Sequence, residues 1–237
     1  MRIGILLCDH VDDDLQAVHG TYLRMFEQFL PETNFQPYFV CDDDFPTSVS
    51  DCDGYLVNGS RYSVYDEISW IQRLKDFVQD IHHTGLPYVG VCFGHQILAE
   101  ALGGTVLKSP QGWCVGKHNF KVDDDISWMD PKLQQIGLLM MCQDQVVDLP
   151  PGSSVMASNP ACPIAMFTVG EHMFGIQAHP EFSPSYLAAI LDKRREKIGY
   201  DKVAEARRSL HLPLDVDPIR KWIGNFFFRQ RASQLGR

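Results

Sequence analysis

The sequence predicts an α/β fold built on an open, mostly parallel, twisted sheet with helices on both faces. Short apolar runs alternate with helical patterns through the first half of the chain, and repeated βα units of this kind form parallel sheets covered by helices. After residue 105 the pattern changes to short β-rich runs separated by Gly and Pro, which indicates antiparallel additions to the sheet. The 237 residues are 45 % hydrophobic and 22 % charged, a composition typical of globular proteins.

Four apolar runs in the first half are expected to be strands, interleaved with three helical patterns. In each helical pattern the apolar residues recur every three or four positions and so share one face. Gly85 and Gly103 mark the ends of the second and third helices. The expected strands are residues 2–8, 35–40, 54–57 and 87–91, and the expected helices span 15–26, 70–81 and 96–102.

The second half supplies further strands and then a helical C-terminal part. Pro218 suits the first turn of a last helix, and we interpret the apolar stripe behind it as core rather than as a groove for a partner. Without repeats or linkers, residues 1–237 are expected to form a single domain, with a core of about 1–190 and a helical extension of about 191–237. The expected strands are 105–107, 119–122, 155–157, 164–168 and 173–178, and the stripe is Ile219, Trp222, Ile223, Phe226 and Phe227.

Composition excludes several classes of function. A net charge of −9 argues against nucleic acid and anionic membranes as partners, since both attract basic proteins. No apolar run reaches the roughly 18–20 residues that span a bilayer, and no cleavage site follows the first apolar run. Seven scattered cysteines predict reduced thiols and a cytoplasmic protein. Three Asp triplets, at 12–14, 42–44 and 123–125, lack the spacing of a calcium loop, so we expect no metal and no cofactor.

Gly90-Val91-Cys92-Phe93-Gly94 lies where a strand is expected to turn sharply into a helix. Glycines two residues before and after the central residue relieve crowding, as in the elbow that exposes a nucleophile in α/β-hydrolases. The positive end of the helix dipole would favour a thiolate at Cys92. The alternative interpretation is a structural cysteine in a Gly-rich turn. The elbow pattern favours the nucleophile.

Gln177-Ala178-His179-Pro180-Glu181 supplies the base that a nucleophilic cysteine needs. An apolar strand would deliver His179 at its end, and Glu181 would project to the same side of an extended chain. His179 could then take the thiol proton while Glu181 orients the ring and stabilises imidazolium. Such a tripeptide alone is weak support, because most are solvated turns. Its combination with the elbow is specific.

These two motifs, Gly-Val-Cys-Phe-Gly-His-Gln at 90–96 and Gln-Ala-His-Pro-Glu-Phe at 177–182, resemble those of class I, triad-type glutamine amidotransferases. The likeness is greatest to the glutaminase domain of GMP synthase and its stand-alone relatives, and it covers roughly residues 1–190. It implies the flavodoxin-like fold of that family. It also implies a Cys92–His179–Glu181 triad and an oxyanion hole formed by the backbone N–H groups of Gly59 and Phe93.

The resemblance further implies a substrate, glutamine or another γ-glutamyl small molecule, and residues that bind it. Gln96, Asn58 and Ser60 are the expected substrate-binding residues, although Gln96 could equally cap the first turn of its helix. The implied reaction is hydrolysis of the glutamine side-chain amide through a γ-glutamyl thioester. A stand-alone γ-glutamyl peptidase and a non-catalytic metabolite-binding module are the alternatives. Any transfer of ammonia would need a separate synthase subunit as partner.

Two positions depart from the family pattern. Asn58-Gly59-Ser60 stands where the oxyanion loop usually reads Gly-Gly-Pro, and Cys142 stands where many relatives have the His of a Ser-His-x-Asp sequence. The second departure affects the expected glutamine specificity more than the triad.

Overall fold

The described residues, 1–122 and 126–235 of a computed structural model, form eleven strands and eight α-helices. The Asp triplet at 123–125 lies outside them. The strands are β1 (Arg2–Leu6), β2 (Asn34–Tyr38), β3 (Gly54–Val57), β4 (Tyr88–Val91), β5 (Thr105–Lys108), β6 (Cys114–Val122), β7 (Gln135–Cys142), β8 (Asp144–Asp148), β9 (Ser153–Asn159), β10 (Cys162–Val169) and β11 (Met173–Ile176). The helices are α1 (Asp13–His19), α2 (Tyr22–Phe29), α3 (Ser69–Thr84), α4 (Phe93–Ala101), α5 (Pro184–Lys193), α6 (Arg195–Ile198), α7 (Tyr200–Ser209) and α8 (Val216–Leu235).

Nine of these strands form one twisted sheet in the order β2-β1-β3-β4-β11-β10-β9-β6-β7. The strands from β2 to β11 pair in parallel, and those from β11 to β7 pair antiparallel. Strands β5 and β8 form a separate antiparallel pair. The predicted α/β class, with parallel strands extended by antiparallel ones, is confirmed. Residues 173–178 are predicted as an antiparallel addition to the sheet, which is wrong in part. Strand β11 is antiparallel to β10 but parallel to β4.

Two further predictions from the sequence need correction. The helix expected over 15–26 is broken at Gly20, whose φ of 82° ends α1, and Thr21 then caps α2. Val18, expected on the buried face, is 76 % exposed. Strands β7 and β8 were missed. Because residues 136–142 of β7 are all buried, this strand lacks the alternation of apolar and polar residues that marks a strand with one solvated face.

The C-terminal helix α8 packs its apolar stripe into the core, as predicted. Trp222 is fully buried and its indole N–H donates to the Pro131 carbonyl at 2.9 Å. The Phe226 ring lies 5.3 Å from Trp128 and 6.1 Å from Phe174 of β11. This helix therefore supports the strand that leads to the candidate site. None of the helices in the described part of the chain is long and apolar enough to cross a membrane.

Candidate active site

Cys92 lies between the last residue of β4 and the first residue of α4, at the sharp turn that the sequence predicts. Its backbone has φ 55° and ψ −100°, a conformation that costs a non-glycine residue free energy and is common at functional sites. A Cβ on Gly90 would lie 2.2 Å from the Gly94 carbonyl oxygen, and one on Gly94 would lie 2.2 Å from the Val57 carbonyl oxygen. Only glycine fits at either position, which explains why the turn carries both.

His179 and Glu181 follow β11 and are buried, with 4 % and 8 % of their surface exposed. The His179 N–H donates to the Leu139 carbonyl of β7 at 2.8 Å, which fixes this segment against the sheet. Nδ1 of His179 lies 2.7 Å from Oε1 of Glu181. The imidazole also stacks on the Phe182 ring, with centroids 3.9 Å apart and planes 9° from parallel. These contacts hold the ring in one orientation.

The Cys92 side chain is close enough to the His179 ring to influence its pKa. Burial alone would lower the pKa of His179, but the charges of Glu181 and Cys92 and the hydrogen bond that the ring donates to Glu181 outweigh burial and raise this pKa to about 10. This shift favours the protonated form of the ring, which can act as a proton donor. The structure thus brings together Cys92, His179 and Glu181, the three residues that the sequence analysis expects to act as a triad.

Gly59, in the loop after β3, lies directly beside this pair. A Cβ on Gly59 would come 2.8 Å from Cε1 of His179 and 3.5 Å from Cβ of Cys92. Neither the Gly59 nor the Phe93 N–H donates a hydrogen bond to any described residue. The two N–H groups that the sequence singles out therefore have no protein acceptor in the described part of the chain.

A cavity of about 100 Å³ opens beside Cys92. Its lining includes Ser60 and Gln96, two of the expected substrate-binding residues, and Cys142. Charged side chains that the sequence analysis did not select also line it, and no local motif marks them: Arg61, Lys108, Asp144, Arg194 and Lys197.

The expected substrate-binding residues differ in what they contact. The Gln96 amide N–H group donates to the Asp144 carbonyl at 2.8 Å and to the Gln177 Oε1 at 3.1 Å, so Gln96 ties α4 to the strand ends around the cavity. Ser60 lines the cavity and its hydroxyl donates to the Cys8 carbonyl at 2.8 Å. Asn58, by contrast, is fully buried and is not part of the cavity lining; its Oδ1 accepts the Cys8 N–H at 2.7 Å.

Long-range contacts fix two charged groups of the lining. Nε of Arg61 lies 2.8 Å from Oδ1 of Asp9, a buried carboxylate at the end of β1. This carboxylate raises the pKa of the Arg61 guanidinium. Asp144 accepts the hydroxyls of Ser63 and Tyr65, the latter at 3.0 Å. Because Arg61 and Asp144 pair with residues far away in sequence, no local pattern marks either of them as part of a site.

One group of side chains among the described residues has the composition of a metal site. Ligand atoms of His10, Cys41 and Asp42 lie within 4.8 Å of one another. His10 is already paired with Asp42 at 2.8 Å, and burial, followed by the charge of Asp42, raises the pKa of the Cys41 thiol to about 12. The group offers three ligand atoms, two of them on exposed side chains that already pair with each other, so we assign no metal to it.

The sequence is similar to one protein family and to several known proteins. The sequence model of the family described as "Glutamine amidotransferase class-I" matches residues 19–194. Gamma-glutamyl peptidase 3 of Arabidopsis thaliana is 27 % identical over 81 % of this chain and 81 % of its own, and gamma-glutamyl peptidase 5 of the same plant is 26 % identical over 99 % and 98 %. The glutamine-hydrolysing GMP synthase of Thermosynechococcus vestitus is 34 % identical over 54 % of this chain and 23 % of its own.

Solved structures share the architecture. The crystal structure of a glutamine amidotransferase from Thermotoga maritima superposes with a TM-score of 0.76 over 96 % of this chain and 98 % of its own, at 16 % identity. At that identity the likeness concerns the fold.

Proposed function

The chain belongs to the class I glutamine amidotransferase family, and on that premise we propose that it hydrolyses γ-glutamyl amide bonds with Cys92 as nucleophile. The observation that carries the proposal is that Cys92 lines a cavity and lies beside both the buried His179–Glu181 pair and the Gly59 backbone. A nucleophile, a base with its orienting group and an oxyanion site are what acyl transfer requires.

In the proposed first half-reaction the Cys92 sulfur attacks the δ-carbonyl carbon of the γ-glutamyl group. The carbonyl oxygen becomes an oxyanion that accepts hydrogen bonds from the N–H groups of Gly59 and Phe93, and each such donor is worth about 3–4 kcal/mol. The His179 imidazolium gives its proton to the leaving nitrogen, the C–N bond breaks, and a γ-glutamyl thioester remains on Cys92.

In the second half-reaction neutral His179 takes a proton from water, whose oxygen attacks the thioester carbon. The same two N–H groups receive the second oxyanion. The C–S bond then breaks, glutamate leaves, and the thiolate–imidazolium pair is restored. Glu181, 2.7 Å from Nδ1, keeps Nε2 directed at Cys92 throughout and stabilises the charged ring.

The charged lining of the cavity suits the other end of a γ-glutamyl group. Its α-carboxylate matches the cationic side chains of Lys108, Arg194 and Lys197, and its α-ammonium matches the Asp144 carboxylate. Ser60 and Gln96 are proposed to contact the bound group, and Asn58 to position the loop that carries Gly59.

We favour γ-glutamyl conjugates over free glutamine as substrates. The relatives that match this chain over 81 % and 99 % of its length are named gamma-glutamyl peptidases, whereas the GMP synthase match covers 23 % of that enzyme. Cys142, at the position where many glutaminase domains have His, lines the cavity and changes its chemistry. Glutamine remains the second candidate substrate, because the same three side chains and oxyanion donors would serve it.

The test is a substrate panel. Glutamine and γ-glutamyl dipeptides of varied second residue are incubated with the full chain, and glutamate release is quantified by mass spectrometry. We expect release from at least one γ-glutamyl compound, complete loss in Cys92→Ala, and retention in Cys162→Ala, a matched removal of another buried thiol. If every compound stays intact while one of them raises the melting temperature of the chain, the metabolite-binding alternative replaces the enzyme.

A further inference from the structure

Two cysteines outside the proposed triad face each other across neighbouring strands. Cys114 of β6 and Cys142 of β7 are direct register partners in the antiparallel pair. Directly opposed residues of such a pair have Cα atoms about 4.5–5.5 Å apart, within the range of roughly 4.4–6.8 Å that a disulfide spans. The register therefore places the Cα atoms of the two cysteines at a spacing that a disulfide between them can span.

The pair lies between two cavities. Cys114 lines a second cavity of about 240 Å³, together with His118, Lys202 and Glu205. Cys142 lines the cavity that contains Cys92. Trp113 borders both cavities. A small reagent can therefore reach Cys114 through the second cavity, whereas Cys142 lines the cavity of the candidate active site.

Cys114 has the surroundings of a reactive thiolate. The hydrogen bond from the Cys142 thiol is the largest influence on its pKa; together with His118 and the charge of Lys202 it outweighs burial and lowers the pKa of Cys114. Sγ of Cys114 lies 3.5 Å from Nε2 of His118. The pKa of Cys142 is raised, first by its hydrogen bond to Cys114 and then by burial. Of the two sulfurs, that of Cys114 therefore ionises more readily.

We propose that Cys114 is a peroxide-reactive thiol and Cys142 its resolving partner, so that oxidation closes a Cys114–Cys142 disulfide beside the active site. The Cys114 thiolate attacks one oxygen of hydrogen peroxide and the O–O bond breaks, which gives a sulfenic acid and a hydroxide that the His118 imidazolium protonates to water. The Cys142 sulfur then attacks the sulfenic sulfur, the S–O bond breaks, and the hydroxyl leaves with the Cys142 proton as a second water. Two thiols are oxidised and one peroxide is reduced.

Closure of this disulfide reaches the cavity of Cys92. The Cys142 sulfur, which contributes to the lining of that cavity, would be bonded to Cys114 and would lose its proton. The expected consequence, which rests on the proposed function, is a reversible decrease in γ-glutamyl hydrolysis after oxidation. The chemistry at Cys114 does not rest on it.

The experiment treats the full chain with limiting hydrogen peroxide, alkylates the remaining thiols under denaturing conditions and maps the peptides by mass spectrometry without reductant. We expect a peptide pair linked through Cys114 and Cys142 that disappears after a thiol reductant. Cys142→Ser should trap the sulfenic acid on Cys114, where a cyclic diketone captures it. His118→Gln should slow the reaction about tenfold, because less thiolate is present. Cys162→Ala, the matched control, should leave both rate and product unchanged.

Several outcomes would overturn the proposal. A Cys92–Cys142 disulfide as the main product would show that peroxide reacts with the candidate nucleophile instead. Cys114 that stays reduced while the other thiols are oxidised would show that it is not a reactive thiol. Peroxide is also applied to Cys114→Ser, whose thermal unfolding is monitored to show that it folds. If peroxide inactivates that variant as much as the wild type, the inactivation does not depend on oxidation of Cys114. The peptide map detects the disulfide independently of any substrate.

Discussion

Substituting Gly59 tests whether the position beside Cys92 and His179 can accommodate a side chain. In Gly59→Ala the new methyl group would lie 2.8 Å from Cε1 of His179, whereas ordinary contacts begin at 3.4 Å. The ring or the loop must therefore move by about 0.6 Å. Since a misplacement of about 1 Å in a catalytic group can cost on the order of 100-fold in rate, we expect kcat/KM to fall roughly 10- to 100-fold, or about 1.4–2.7 kcal/mol of transition-state stabilisation.

The assay is the initial rate of glutamate release from the best γ-glutamyl compound of the panel, with thermal unfolding measured in parallel. Gly224→Ala is the matched control, because a Cβ at Gly224 of α8 meets nothing within 4 Å. That variant should keep wild-type kcat/KM and a melting temperature no lower than that of the wild type, since Ala is favoured over Gly in a helix by about 1 kcal/mol. A folded Gly59→Ala chain with wild-type kcat/KM would refute the assigned positions of the loop and of His179.

Three other predictions concern charge and packing. Glu181→Gln removes the charge that raises the pKa of His179 to about 10, so the alkaline limb of the kcat/KM profile should move to lower pH; an unmoved limb would count against the pairing. Burial lowers the pKa of His95 from 6.5 to about 3. Between these two pH values the unfolded chain binds a proton at His95 that the folded chain does not bind. The free energy of unfolding should therefore fall as the pH drops from 6.5 to 3, by up to about 5 kcal/mol. In His95→Leu, urea titrations at several pH values should show a shallower fall, and an equally steep one would show that other groups cause it. Trp222→Ala should cost about 3–5 kcal/mol of unfolding free energy in urea, against less than about 0.5 for Phe228→Ala, whose side chain is exposed; equal losses would contradict the core position of α8.

The elbow could be predicted from sequence because its determinants are local. Gly90 and Gly94 are separated by the few residues of one turn, and their close approaches to neighbouring backbone leave a readable pattern. The pairing of His179 with Glu181 is also local, two residues along one extended segment. Membership of the family follows from these same two segments, which the match over residues 19–194 confirms.

What the sequence did not reveal depends on contacts between distant segments. Arg61 is held by Asp9, and Cys114 faces Cys142, through the register of the sheet rather than through any local motif. Strand β7 escaped prediction because it is buried on both faces and so shows no alternation. Val18 fits a helical stripe in the sequence, but the break at Gly20 turns its helix so that this side chain faces solvent.

The most direct test of the central claim is covalent labelling of the candidate nucleophile. A diazo ketone analogue of glutamine is incubated with the full chain, the labelled residue is located by peptide mass spectrometry, and glutamate release is measured in the same samples. We expect one label per chain on Cys92, with hydrolysis lost in proportion to labelling and no labelling in Cys92→Ala. A chain that keeps its hydrolytic activity with Cys92 fully labelled, or that loses activity through a label on another residue, would contradict this expectation.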